Sequence, residues 1–264
     1  MKMEEHNLGV ALAVHSYKGG TGKSLVSTNL AAIFASQGKK VCLIDLDLRA
    51  PSLNVAFNVR ERKFWINDFL NDKCKAEEAV FSASVKGLEG RLLLALANPS
   101  MDAIRDTVTK DKKWEMHALR KLVSLKNYLM ENQGAGYVIF DTSPGVGYSS
   151  INAIAVSDVV LVVSTWDNSD VSGTQGMINE LYKLLEKKAV VLINKIPEQL
   201  LIDESTRKRL TEQFKNAFRL PIIDLLPCYC EVLRRERSSI ITLEDPNHPF
   251  SKSLVRVAEQ IQRI

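Results

Sequence analysis

No apolar run in this sequence approaches the roughly 18 residues that a membrane-spanning helix needs. The opening stretch, Met1 to Gly9, is short and polar and carries no signal-peptide core. Four cysteines (Cys42, Cys74, Cys228, Cys230) follow no disulfide framework, a scarcity that fits a reducing compartment. The four histidines, His6, His15, His117 and His248, are scattered and give no metal-ligand spacing. No Ser-His-Asp or Cys-His nucleophile can be assembled, and no internal repeat or low-complexity linker divides the chain. Charge of one sign is scarce as well. The 35 basic and 31 acidic residues leave +4, too slight a bias to imply nucleic acid by itself. With 264 residues and a hydrophobic fraction of 45%, and a mean hydropathy of −0.07, the expectation is one cytoplasmic, soluble domain over residues 1–264.

What is present is a strand, a glycine-rich turn and a helix in direct succession. Val10–Val14 reads as a buried strand, and Val26, Leu30, Ile33, Phe34 and Gln37 step along one helix face. Between them lies His15-Ser16-Tyr17-Lys18-Gly19-Gly20-Thr21-Gly22-Lys23-Ser24. Glycines there let consecutive backbone N–H groups face one concavity, the helix N-terminus adds partial positive charge, and Lys23 adds a full one. Ser24 supplies a hydroxyl where a nucleotide-bound Mg²⁺ needs a ligand. The common phosphate-loop pattern would place its first glycine at position 17, which is Tyr17. The segment instead reads x-Lys-Gly-Gly-x-Gly-Lys-Ser, with Lys18 five residues before Lys23. It resembles the deviant Walker A motif of the MinD/ParA family of ATPases.

Strands and helices alternate along the chain, which predicts an α/β fold with a mostly parallel sheet covered on both faces. Gly38 is placed to end the first helix, with Lys39 and Lys40 beside it. Val41–Ile44 is a second buried strand, and others are expected at Arg91–Ala97, Tyr137–Phe140, Val159–Ser164, Ala189–Ile193 and Ile222–Leu226. Helices are expected over 114–132, 149–157, 171–187, 203–218 and 251–263. Within 57–90, the least regular region, Phe64, Trp65, Ile66, Phe69 and Leu70 have the spacing of a short packed helix, a core role.

Two acidic strand ends complete a nucleotide-site chemistry. Asp45 and Asp47 share one side if the second strand runs through them, and carboxylates beside a phosphate loop call for a cation such as Mg²⁺. The aliphatic run Tyr137–Phe140 ends in Asp141, a Walker B pattern whose carboxylate holds Mg²⁺ directly or through water. Asp45, Asp141 and Ser24 are therefore the candidate metal ligands. The family resemblance adds specific roles. It implies phosphate contacts from Lys18, Gly19, Gly20, Thr21, Gly22, Lys23, Ser24 and Leu25, although many relatives carry a hydroxyl residue where Leu25 stands. It implies that Lys18 reaches a partner's nucleotide across a dimer interface, that Asp47 positions the attacking water, and that Pro144 and Gly145 belong to switch II. It also places adenine recognition at Asn194, whose amide offers a donor and an acceptor, and a further base contact at Pro227.

The resemblance thus implies a P-loop ATPase that dimerises on ATP, hydrolyses it slowly under the control of a protein partner, and times positioning or partitioning. A membrane surface is one candidate partner. However, the terminal face of Leu254, Val257, Ala258, Ile261 and Ile264 reads as packing on the sheet. Non-specific DNA is another, through Lys187–Lys188, Arg207–Arg209 or Arg234, Arg235 and Arg237. Two other branches of the same superfamily stay open. An iron–sulfur carrier uses Cys-x-x-Cys, whereas Cys228-Tyr229-Cys230 has the wrong spacing. A bacterial tyrosine-kinase-like ATPase shares the character of Asp45–Ser52 but ends in a tyrosine-rich tail, and no tyrosine follows Tyr229.

Overall fold

The apolar runs become the interior of one twisted sheet. The computed structural model describes residues 9–234 and 240–264. Its strands are β1 (Val10–His15), β2 (Val41–Leu46), β3 (Phe81–Ser82), β4 (Leu92–Ala95), β5 (Tyr137–Thr142), β6 (Val159–Thr165), β7 (Lys188–Ile196) and β8 (Ile222–Pro227). Their order across the sheet is β3-β4-β2-β5-β1-β6-β7-β8. Every neighbouring pair is parallel except β3 with β4. The connecting helices are α1 (Lys23–Ser36), α2 (Leu53–Ala56), α3 (Ile66–Leu70), α4 (Ala76–Ala79), α5 (Met101–Val108) and α6 (Lys112–Asn127). They continue as α7 (Tyr148–Val156), α8 (Asn168–Met177), α9 (Glu204–Phe218), α10 (Cys230–Arg234), α11 (Ile241–Glu244) and α12 (Pro249–Ile261).

Alternation along β1 shows how both faces are covered. Leu12 and Val14 pack with Leu30, Phe34 and Leu254 of α1 and α12. Ala11 joins Leu122 and Leu125 of α6, and Ala13 joins Met177 and Phe214 on the α8–α9 side. Phe34 of α1 stacks on Tyr137 of β5, with ring centroids 4.0 Å apart and planes 6° from parallel. Because β1 lies between β5 and β6, the loops after β1, β2 and β5 gather at one carboxyl edge of the sheet, the usual ligand edge of such folds.

The structure corrects several boundaries. β2 stops at Leu46, so Asp47 lies beyond the strand and the side expected to be shared with Asp45 is not set by strand geometry. The helix expected over 171–187 starts at Asn168, because Asp167 caps it through Ser169 and Asp170 N–H groups. It then widens into a π-helical turn, Ile178–Tyr182. A second π turn, Tyr128–Asn132, ends α6. α5 was not legible as a helix; it buries none of its residues and is started by Ser100, which accepts from Ala103 N–H. Trp65, Ile66, Phe69 and Leu70 are buried, as a core role requires, whereas Phe64 is only partly covered. Leu254, Val257, Ala258 and Ile261 of α12 are buried, but Ile264 lies past the helix and is 41% exposed.

Candidate functional site

The loop from Ser16 to Gly22 turns the chain from β1 into α1. Gly22 has φ +102°, and a Cβ there would stand 2.5 Å from Asn194 Nδ2, so only glycine fits. Asn194 explains the close approach: its amide donates to the Thr21 carbonyl at 2.8 Å, and its oxygen accepts from Lys195 N–H at 2.9 Å. Lys195 Nζ adds a bond to the Gly20 carbonyl at 2.7 Å. The end of β7 therefore fixes the curvature of the loop. α1 begins with no acidic residue in its first turn and no side-chain cap, so its terminal N–H groups remain available to an anion. Lys23 is 6% exposed, and its ammonium donates to Ser16 Oγ at 2.9 Å, which in turn donates to the Lys18 carbonyl at 2.6 Å. Burial lowers the Lys23 pKa; Asp141, Asp47 and Asp170 oppose that shift.

The two strand-end carboxylates stand side by side, with Asp45 opposite Asp141 in the β2–β5 register. Both are buried. Asp45 accepts from Asp47 N–H at 3.0 Å, and Asp141 accepts from Ser27 Oγ at 2.9 Å. Burial pushes the Asp45 carboxyl well up, with Asp141 and Asp47 adding to it. Asp141 is pushed up to about 6 by burial, against hydrogen bonds from Ser24 and Ser27. Asp45 Oδ2 and Asp141 Oδ2 are buried without a hydrogen-bond partner among the described residues. Two unsatisfied acceptors beside a hydroxyl form a hard, oxygen-only donor set, and a divalent cation fits it.

Lys18 turns away from this centre. Its ammonium meets Asp167 Oδ1 at 3.2 Å and also bonds Ser169 Oγ, both at the start of α8. Tyr17 packs against the same helix: a Cβ on Gly173 would stand 2.0 Å from the ring, so glycine is the residue that admits this contact. On the opposite wall, Gly145 N–H donates to the Ser16 carbonyl at 2.9 Å, which ties the β5–α7 loop to the phosphate loop.

One cleft of about 860 Å³ unites these parts. Gly19, Gly20, Gly22, Lys23, Ser24 and Leu25 line it, with Asp47, Pro144, Asn194 and Pro227. Asp45 and Asp141 sit behind that lining, while Lys18, Thr21 and Gly145 stay outside it. One end is walled by Pro227, Cys228, Tyr229 and Phe250, an apolar slot suited to a flat ring. The other opens past Asp47 toward Arg49, Trp114, Glu115 and Tyr148.

Sequence reasoning missed Ser16, Ser27 and Lys195, which hold Lys23, Asp141 and Gly20. It also missed Asp170, 1% exposed, whose Oδ2 accepts from Thr165 N–H at 2.7 Å and whose charge acts on Lys23. The acidic first turn after β6 was the available signal for Asp170. The basic clusters are partly used internally. Lys187 Nζ donates to the Ala155 and Ser157 carbonyls at 2.8 and 2.7 Å, and Arg207 pairs with Asp224. Arg235 and Arg237 lie outside the described residues.

Comparison with known proteins agrees with this fold. Residues 10–196 match the family described as the AAA domain. The septum site-determining protein MinD of Thermotoga maritima is 26% identical over 258 residues, spanning 97% of this chain and 89% of that protein. The MinD of Pyrococcus horikoshii, solved as a complex with Mg-ADP, superposes with a TM-score of 0.77 at 17% identity over 96% of each chain. A MinC:MinD cell division complex from Aquifex aeolicus gives 0.77 at 21% identity, over 97% of this chain and 96% of that one.

Proposed function

The chain belongs to the MinD/ParA family of P-loop ATPases, and we propose that it binds Mg-ATP in the cleft, hydrolyses it slowly, and pairs with a second copy while the nucleotide is intact. The observation that carries this reading is the meeting of a loop cradle with two unsatisfied carboxylates. Lys23 and the N-terminus of α1 face the cleft, and Asp141 lies behind Ser24 and Ser27 with Asp45 beside it. The Mg-ADP complex of the P. horikoshii protein supports the choice of ligand.

Ser24, Asp45 and Asp141 would hold Mg²⁺, directly or through water, and the ion would neutralise phosphate charge. Lys23, kept in place by Ser16, meets charge developing on the phosphoryl oxygens. Asp47 lines the cleft and orients the attacking water. Lys18 exchanges Asp167 for the phosphates of the partner copy, so that ATP becomes part of the interface. Asn194 keeps one amide hydrogen and one lone pair for the base, and Pro227 flanks the apolar slot. Pro144 and Gly145 move when the terminal phosphate leaves, and the pair separates.

A regulatory protein is the partner best supported. The MinD of A. aeolicus was solved with MinC, whereas the apolar face of α12 is spent in the core and Lys187 and Arg207 are bonded internally. The test is turnover with and without Mg²⁺, beside sizing of Asp47→Ala in ATP and in ADP. Magnesium-dependent hydrolysis and an ATP-trapped dimer of the variant are expected. Failure of the wild type to bind ATP overturns the reading.

A further inference from the structure

β1 ends in His15, a buried ring at the start of the phosphate loop. Its Nε2 is 2.8 Å from the carbonyl oxygen of Gly145, and its Nδ1 is 2.7 Å from Tyr182 Oη. A carbonyl only accepts, so Nε2 carries the proton; Nδ1 is then the lone-pair nitrogen and accepts from the phenol. Burial holds the imidazole at about 4, so the ring is neutral and this tautomer is fixed by its two neighbours. Tyr182 is itself buried, its phenol is pushed up by that burial, and the rings meet edge-on at 6.1 Å.

The two ends of this chain of bonds lie in different elements. Gly145, at φ +75°, belongs to the loop after β5, and its N–H is already bonded to the Ser16 carbonyl. The two peptide groups that meet at Gly145 are therefore held by consecutive residues, His15 through the carbonyl and Ser16 through the N–H. Tyr182 closes the π turn that continues α8, and the first turn of α8 carries Asp167 and Ser169, the partners of Lys18. Gly173, midway along the helix, rests on Tyr17. A core ring needs none of this. An apolar side chain would fill the space without desolvating three polar groups.

We propose that His15 is a positioning residue: it holds the Gly145 peptide in its hydrolysis-competent orientation and passes the movement of that loop, through Tyr182, to α8 and so to the grip on Lys18. This inference rests on the reading that the chain is an ATPase whose Gly145 loop responds to the terminal phosphate.

Half-mimics of the ring separate its two bonds. His15→Gln places an amide N–H where Nε2 lies and keeps the Gly145 bond; His15→Asn places its amide near Nδ1 and loses that bond. Tyr182→Phe keeps the packing but removes the phenol that donates to Nδ1. Turnover number and Michaelis constant for ATP are measured with Mg²⁺, together with the affinity for a fluorescent ADP analogue. His15→Asn and Tyr182→Phe should each lower the turnover number about tenfold with ADP affinity within twofold of wild type, while His15→Gln stays within threefold. In ¹⁵N spectra of the wild type, the His15 Nδ1 signal should differ between the complexes with ADP and with a non-hydrolysable ATP analogue. Wild-type turnover in His15→Asn or Tyr182→Phe, or an unchanged Nδ1 signal, overturns the inference and leaves the ATPase reading standing. A wild type that neither binds nor hydrolyses ATP overturns the ATPase reading itself.

Discussion

Lys18 and Asp167, 149 residues apart in the chain, form an ion pair at 3.2 Å that holds the extra lysine of the phosphate loop against α8. The pair is solvent-exposed, so it restrains Lys18 only weakly. That strength suits a contact meant to be exchanged. Asp167→Asn keeps an oxygen to cap α8 and removes the charge. The ATP-dependent dimer should then form at up to about fivefold lower protein concentration, as read by sedimentation. A weaker dimer would show that Asp167 helps association instead of competing with it.

Asp141 gives a prediction of opposite signs in two assays. Its carboxyl is raised to about 6 by burial, so carrying the charge at pH 7 costs the metal-free folded state stability relative to the unfolded chain. Asp141→Asn still accepts from Ser27 but carries no charge. The metal-free variant should be more stable than wild type by about 1–3 kcal/mol in urea unfolding at pH 7. Its Mg²⁺-dependent affinity for ADP should fall at least about tenfold in calorimetry.

Gly22→Ala introduces a Cβ at φ +102° that would overlap Asn194 Nδ2. The loop must shift or Asn194 must release the Thr21 carbonyl. A loss of about 1–3 kcal/mol in thermal unfolding, with ADP binding lost in calorimetry, is expected.

His15 predicts how stability varies with pH. Its folded-state pKa is lowered to about 4 from 6.5, so the unfolded chain binds this proton first as the solution is acidified. Wild-type stability from this group is therefore complete above pH 6.5 and is lost as the pH falls toward 4. His15→Gln has no such proton to gain. The difference in unfolding free energy should move in the variant's favour by about 3 kcal/mol between those limits, measured as a difference curve against wild type. A flat difference would mean that the ring takes up its proton in the folded state.

The elements that follow a local rule were legible in the sequence. Lys18–Ser24 and Asp141 announce themselves by residue type and spacing, and the buried strands by short apolar runs. The cleft gathers Lys23, Ser24, Asp47, Asn194 and Pro227 from four separate stretches. What stayed hidden depends on distant partners or on an unburied face. The bond between Lys18 and Ser169 spans 151 residues. α5 offers no buried stripe to reveal it. Asp45 and Asp47 looked like neighbours on one strand face, yet the strand ends between them, and Asp45 instead accepts the backbone N–H of Asp47.

The π turn at Ile178–Tyr182 sets the angular phase of everything after it. Such a turn is an α-helix with one residue too many, and one residue is worth about 100° of rotation. A regular helix from Asn168 would carry position 182 to a different face, away from the end of β1. Deleting one residue from the turn would preserve helix content and composition almost unchanged. It would also take up the turn's extra residue and leave the Tyr182 phenol facing His15, whereas a regular helix of unchanged length would swing it away. The alignment of two parts of the molecule thus hangs on a count of residues, where the identity of any one of them matters less.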